Sequence, residues 1–192
     1  MKVCVARAGR LLASGVEIPL VPGVGLWLRG ANGAGKTTLL EVLAGLLPGA
    51  EEPLTPTPCY IPLVPLAWQH LSWMRLRRHW RALYGRKGIL DTAWQALLPK
   101  NVDNIPLEHL SAGQRQRFAL AELAFAGARV WLLDEPFACL DTGGIDILEK
   151  LLARHLASGG SAVVAGHQAW VGATAILDAD AWVRPVVVME GW

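Results

Sequence analysis

The chain has 192 residues, 53% of them hydrophobic and 18% charged, with a formal net charge of +2. That length supports one domain with a real core, and so small a charge gives no electrostatic case for nucleic acid. Cys4, Cys59 and Cys139 are scattered without metal-ligand spacing, which reads as reduced thiols in a cytosolic protein. No basic-then-apolar leader opens the chain, so no export signal is expected. Of two long uncharged stretches, residues 53–74 hold five prolines and residues 155–177 hold histidines and a Gly-Gly-Ser break. Neither suits a membrane span, and any membrane attachment has to come through a partner.

Short apolar runs alternate with helical patterns, the mark of a largely parallel sheet. "KVCVAR" and "GVEIPLVPGVGLWLRG" read as strands separated by turns, the last entering a glycine loop at residue 30. A helix is expected over "KTTLLEVLAGLL", stopped by Pro48. A proline-rich stretch follows and ends in a strand near "CYIPLV". "LSWMRLRRHWRALYG" and "ILDTAWQALLPK" read as helices of a lobe hanging off the sheet. "SAGQRQRFALAELAFAG" reads as one more helix, "RVWLLDEP" as a fully buried strand, and "GGIDILEKLLARHLASGG" as an amphipathic helix closed by glycines. "SAVVAGH" completes the parallel set, and the final thirty residues suggest two weak edge strands. With no repeat and no long linker, the expectation is one α/β domain over residues 1–192. Its core sheet is mostly parallel, with an antiparallel N-terminal β region and a small helical lobe over about residues 66–126.

"GANGAGKT" fits G-x-x-x-x-G-K-[ST] between a strand and a helix, the context that separates a phosphate loop from a glycine turn with an incidental lysine. The nucleotide-binding candidates are Gly30, Ala31, Asn32, Gly33, Ala34, Gly35, Lys36, Thr37 and Thr38. Their backbone N–H groups and the helix N-terminus suit phosphates. Lys36 is expected to reach the β and γ phosphates of ATP, Thr37 to ligate Mg²⁺, and Thr38 to add a hydrogen bond. At the end of "VWLLDEP", Asp134 is the second candidate Mg²⁺ ligand. Glu135 is placed to polarise the water that attacks the γ-phosphate.

"LSAGQ" (Leu110, Ser111, Ala112, Gly113 and Gln114) opens another helix, where a hydroxyl and an unobstructed N–H face an anion with the helix dipole behind them. One loop already wraps the nucleotide, so a second anion-reading helix start makes sense if it serves another molecule's ATP. Two chains packed head to tail would each lend it to the other, with nucleotide as glue and hydrolysis opening the dimer.

Phosphate loop, LSAGQ, LLDEP, the "CLD" ending at Asp141 and the "GH" ending at His167, in this order, resemble the ABC-type ATPase cassette. The resemblance covers nearly the whole chain. It implies that His167 contacts the γ-phosphate and takes part in catalysis with Glu135 and Lys36, and that Asp141 couples the two sites across the dimer. More narrowly, the run from "DNIPLEHLSAGQ" to "HLASGG" with the following "GHQ" is similar to the haem-exporter ATPase subunits of cytochrome c maturation, the CcmA type. That implies a peripheral subunit on the cytoplasmic face of the inner membrane, bound to an integral membrane subunit and to haem-handling subunits. Its ATP hydrolysis would be linked to release of a loaded haem chaperone. Alternatives are the ATPase of another ABC transporter, a soluble ABC ATPase, or a nucleotide-binding module without catalysis. The absence of a second cassette or a coiled-coil insertion opposes the soluble reading, and intact Lys36, Asp134, Glu135 and His167 oppose the inactive one.

Such cassettes carry a glutamine between phosphate loop and signature that touches Mg²⁺. Here "YIPLVPLAWQHL" puts Val64 at that place, with Gln69 five residues later. Completion of the metal shell by water is favoured over Gln69. Where the family stacks adenine on an aromatic near the first strand, this chain offers only Arg10. In "WMRLRRHWRAL", Trp73, Leu76, Trp80 and Leu83 form an apolar stripe, read first as packing within the lobe and second as a cleft for a helix of the membrane subunit. Arg75, Arg78 and Arg81 face away, and the six basic residues of 66–90 meet no acidic one, which suits a partner or lipid surface. His70 and His79 are the nearest pair to a haem ligand set and read as incidental.

Overall fold

Val130–Asp134 (β5) and Ser161–Ala165 (β6) are buried at every position. Such unbroken runs suit the middle of a parallel sheet covered on both faces. The computed structural model, which describes residues 1–63, 68–85 and 90–182, places them there. With Gly25–Arg29 (β3), Cys59–Ile61 (β4) and Ala175–Asp178 (β7) they form a sheet in the order β4-β5-β6-β3-β7, every neighbouring pair parallel. Lys2–Arg7 (β1) and Arg10–Glu17 (β2) make a separate antiparallel hairpin. The expected sheet organisation is met. Of the two expected C-terminal edge strands, β7 is observed, and residues 183–192 lie outside the described residues.

Lys36–Leu43 (α1) packs against β1 and the central strands. It is a turn shorter than the sequence suggests. Gly45 takes φ +74°, and the Leu46 and Leu47 amides turn back to the Glu41 carbonyl, so the chain leaves the helix before Pro48. On this face Val3, Val5, Leu28, Leu39, Leu40 and Val163 build one core. On the other, Thr92–Leu97 (α3) and Thr142–Ala157 (α6) pack together and bury Trp94, Leu148, Leu152 and Leu133 in a second.

A third core belongs to the helical lobe. Trp73–Tyr84 (α2) buries Trp73, Leu76 and Trp80 against Phe118 and Phe125, with the Trp73 and Phe118 rings stacked at 4.8 Å. Burying each such ring stabilises the lobe by about 1.5–3 kcal/mol. Leu83 departs from the expected stripe and is 61% exposed. The cause is tertiary: α2 packs on Glu122–Ala126 (α5), and it is Tyr84 that turns inward to donate a 2.6 Å hydrogen bond to Glu122. Arg75, Arg78 and Arg81 are exposed as expected. The single helix expected over 111–127 is two, Ala112–Leu120 (α4) and α5. They meet at Ala121, whose N–H reaches both the Arg117 and Phe118 carbonyls, a 3₁₀-like tightening. The three cysteines are free. Among the described residues no helix is long and apolar enough to cross a membrane.

Candidate active site

In an open parallel sheet, ligands bind outside the carboxyl ends of the strands. Three strands end together here: β3 runs into residues 30–35, β5 ends at Asp134, and β6 between them leads to Gly166 and His167. Gly30, Gly33 and Gly35 hold φ of +144°, +79° and +103°, so the loop depends on residues without a Cβ. Gly35 takes the N-cap position of α1 without any side-chain capping bond. The first helical turn thus has no side-chain cap at its N-cap, an arrangement that suits an anion.

Lys36, 7% exposed, folds over its own loop and donates to the Gly30 and Ala31 carbonyls at 2.7 and 3.1 Å. Beside it, the Thr37 hydroxyl donates to Asp134 Oδ2 at 2.8 Å. Asp134 is 3% exposed. Burial pushes its carboxyl above the usual range, the Thr37 hydrogen bond opposes that, and the Glu135 charge adds to it. Thr38 is buried with its hydroxyl 3.4 Å from Arg7, whose guanidinium also pairs with Glu41 at 2.9 Å.

Glu135 adopts φ +48°, an uncommon backbone state for a residue with a side chain, and its N–H is held by the Ala165 carbonyl at 2.8 Å. The carboxylate is thereby aimed across β6. Glu135 Oε2 accepts from the His167 amide at 3.3 Å, and Oε1 is 3.7 Å from His167 Nε2. The same imidazole nitrogen lies 2.6 Å from Asn32 Oδ1 on the phosphate loop. Asn32, Glu135 and His167, distant in sequence, thus form one cluster at the edge of a cleft of about 440 Å³. Lys36, Thr37, Asp134 and Glu135 line this cleft, with Arg7 and Leu12 from the hairpin. Arg10 lies exposed at the start of β2, paired with Arg7, and is absent from the lining. Arg7 and Leu12 went unread in the sequence because no local pattern marks them; the hairpin fold brings them in.

The LSAGQ segment lies apart from this cleft, with none of residues 110–114 in the lining. Leu110 is buried. Ser111 caps α4 by accepting from the Gln114 amide at 3.2 Å, while Gln114 Oε1 accepts from the Ser111 amide at 3.0 Å. Ala112 begins the helix, and Gly113 lies so close to the Cys139 carbonyl oxygen that a Cβ there would be 2.4 Å from it. Asp141 caps α6 through the Gly144 amide and pairs with Arg117 of α4 at 2.6 Å. Gln69 lies in the turn before α2, its carbonyl accepting from the Glu108 amide, and Val64 lies outside the described residues. The His79 ring lies tilted by 43° against Trp68, with the ring centroids 4.4 Å apart.

The ABC transporter family profile matches residues 13–138. The chain belongs to the ABC transporter family, as one of its ATP-binding and ATP-hydrolysing subunits. Among curated proteins it is 39% identical to a cytochrome c biogenesis ATP-binding export protein CcmA of Roseobacter denitrificans, over 86% of this chain and 81% of that one. It is 37% identical to a CcmA of Cupriavidus metallidurans, over 91% and 90%. Among solved structures, a putative ABC transporter ATP-binding protein from Pyrococcus furiosus superposes with a TM-score of 0.78 at 18% identity, covering 94% of this chain and 96% of that one. A dimeric ATP-binding cassette in a post-hydrolysis state with ADP and Pi gives 0.69 at 19% identity, covering 92% and 91%. These two likenesses establish the fold.

Proposed function

We propose that this chain is the ATP-hydrolysing subunit of a membrane ABC complex of cytochrome c biogenesis, coupled to haem handling and to release of a loaded haem chaperone. The observation that carries the chemical half is the convergence of the phosphate loop, the Thr37–Asp134 pair and the Glu135–His167–Asn32 cluster on one strand-end cleft. The biological half is supported by the CcmA relatives.

Residues 30–38 bind the ATP phosphates, with the Lys36 ammonium already against the loop carbonyls beside them. The Thr37 hydroxyl and the Asp134 carboxylate are hard oxygen donors in contact with each other, and two protein ligands plus phosphate oxygens and water are what Mg²⁺ accepts. A bound Mg²⁺ supplies charge neutralisation at the β and γ phosphates. Glu135 accepts the proton of the attacking water, and His167 is held by Asn32 and Glu135 where it can contact the γ-phosphate. Leu110 to Gln114 serve the ATP of a second copy, and Asp141 couples the two sites. The chain acts peripherally, on the cytoplasmic face of the inner membrane, beside an integral membrane subunit.

The test is to tag the chain in its native cell, solubilise the membranes gently and identify what co-purifies. Recovery with a multi-span membrane protein and haem-handling subunits is the expected result. A membrane partner unrelated to haem would leave the ATPase reading and remove the cytochrome c role.

A further inference from the structure

β7 pairs with β3 on the outer edge of the sheet, with Asp178 beside Arg29 in register. Asp178 Oδ2 accepts a 2.9 Å hydrogen bond from Arg29 Nε and lies 2.8 Å from Nη2 in the same ion pair. Two residues beyond this pair, past the ends of β3 and β7, the correspondence continues. The Ala31 amide lies 3.0 Å from each carboxylate oxygen of Asp180, on the 3₁₀ turn Ala179–Ala181. Asp178 Oδ1 accepts from the Asp180 amide at 3.0 Å, so one carboxylate fixes the turn that presents the other. This turn presses on the phosphate loop: a Cβ on Gly30 would be 3.0 Å from the Ala179 Cβ.

The peptide group joining Gly30 to Ala31 is therefore held at both ends. Its N–H is bound by Asp180, and its C=O accepts the 2.7 Å hydrogen bond from Lys36. The peptide is planar, so fixing the direction of the N–H fixes the direction of the C=O. Gly30, at φ +144°, has no Cβ to restrict rotation about that peptide, and an external anchor has to supply the restriction. We infer that Asp180 is a positioning residue for nucleoside triphosphate binding: through the Gly30–Ala31 peptide it orients the loop carbonyl that docks the Lys36 ammonium beside the phosphates. The exposed Arg29–Asp178 ion pair adds little stability by itself and acts by holding the turn in place. This inference rests on the reading of residues 30–38 as the ATP phosphate site.

The experiment uses the purified full chain, with equilibrium binding of a fluorescent ATP analogue in Mg²⁺ and steady-state hydrolysis for wild type, Asp180→Ala and Asp180→Asn. Asp180→Ala is expected to weaken binding roughly tenfold, the scale of one charge-assisted hydrogen bond, with the loss in KM rather than kcat. Asp180→Asn keeps an acceptor for the Ala31 amide and is expected within about threefold of wild type, a rescue that general destabilisation would not produce. Wild-type affinity in Asp180→Ala overturns the inference, as does an Asp180→Asn variant as weak as the alanine or tighter than wild type. Should Asp180→Ala fail to fold, Asp178→Ala, which frees the turn, decides between weakened and unchanged binding. Failure of the wild type itself to bind ATP would overturn the phosphate-site reading along with the inference.

Discussion

The sequence suggests an anion site at two helix starts, and the structure builds them in opposite ways. At α1 the N-cap is a glycine with no side-chain bond, and the loop before it curls with two more glycines at positive φ. At α4 the start is closed by a reciprocal Ser111–Gln114 capping box, so two of its donors are satisfied from within. The first is open to phosphate in a single chain. The second is capped by its own side chains, presses Gly113 against the Cys139 carbonyl, and lies away from its own chain's cleft. A helix dipole is common to both. What distinguishes a phosphate cradle is unsatisfied backbone N–H, and what suits a surface lent to a partner is a start that keeps its shape alone.

The largest expected effect tests the open site. Glu135→Gln should lower ATP turnover by about 10²–10⁴-fold, the range for loss of a positioned general base, while equilibrium ATP binding persists. Near-normal turnover would remove Glu135 from the reaction. Next comes the close approach at the second start. Gly113→Ala forces a Cβ toward the Cys139 carbonyl and should cost about 1–3 kcal/mol by overpacking, read in thermal denaturation, with ATP-dependent pairing of chains lost in light scattering. Unchanged stability and pairing would mean that the Gly113 contact is incidental.

A smaller effect sharpens the contrast. Ser111→Ala opens the capping box and should cost about 1 kcal/mol of stability in a urea titration. It should weaken ATP-dependent pairing, yet leave the affinity of the dilute single chain for ATP where it was. A lowered single-chain affinity would show that the second start serves its own chain's nucleotide. The smallest effect concerns the metal shell: Gln69→Ala should keep most of the ATPase activity in a turnover assay. A loss as large as that of Glu135→Gln would place Gln69 on the metal.

Much of the first site was legible because its chemistry is contiguous. The glycine spacing, Lys36 and Thr37 follow one another between a strand and a helix, and Asp134 and Glu135 end an apolar run that is buried in the sheet. The lobe was less legible. Helical periodicity identified α2, but α5 decided that Tyr84 and not Leu83 turns inward, and the junction at Ala121 interrupts a pattern that reads as continuous. The length of α1 was overestimated because nothing local weighs Gly45 against the apolar residues on either side of it.

By itself the sequence determined the order of strands and helices, the phosphate loop and the carboxylates beside it, because each depends on neighbours in the chain. Only the tertiary structure decided which distant groups complete the cleft. Asn32 reaches His167 because β3 and β6 are adjacent, Arg7 enters because the N-terminal hairpin folds over α1, and Asp180 meets Ala31 because β7 pairs in register with β3. No residue type or spacing along the chain encodes these meetings. They follow from parallel pairing, which aligns strand ends that lie more than a hundred residues apart in the case of His167 and Asp180.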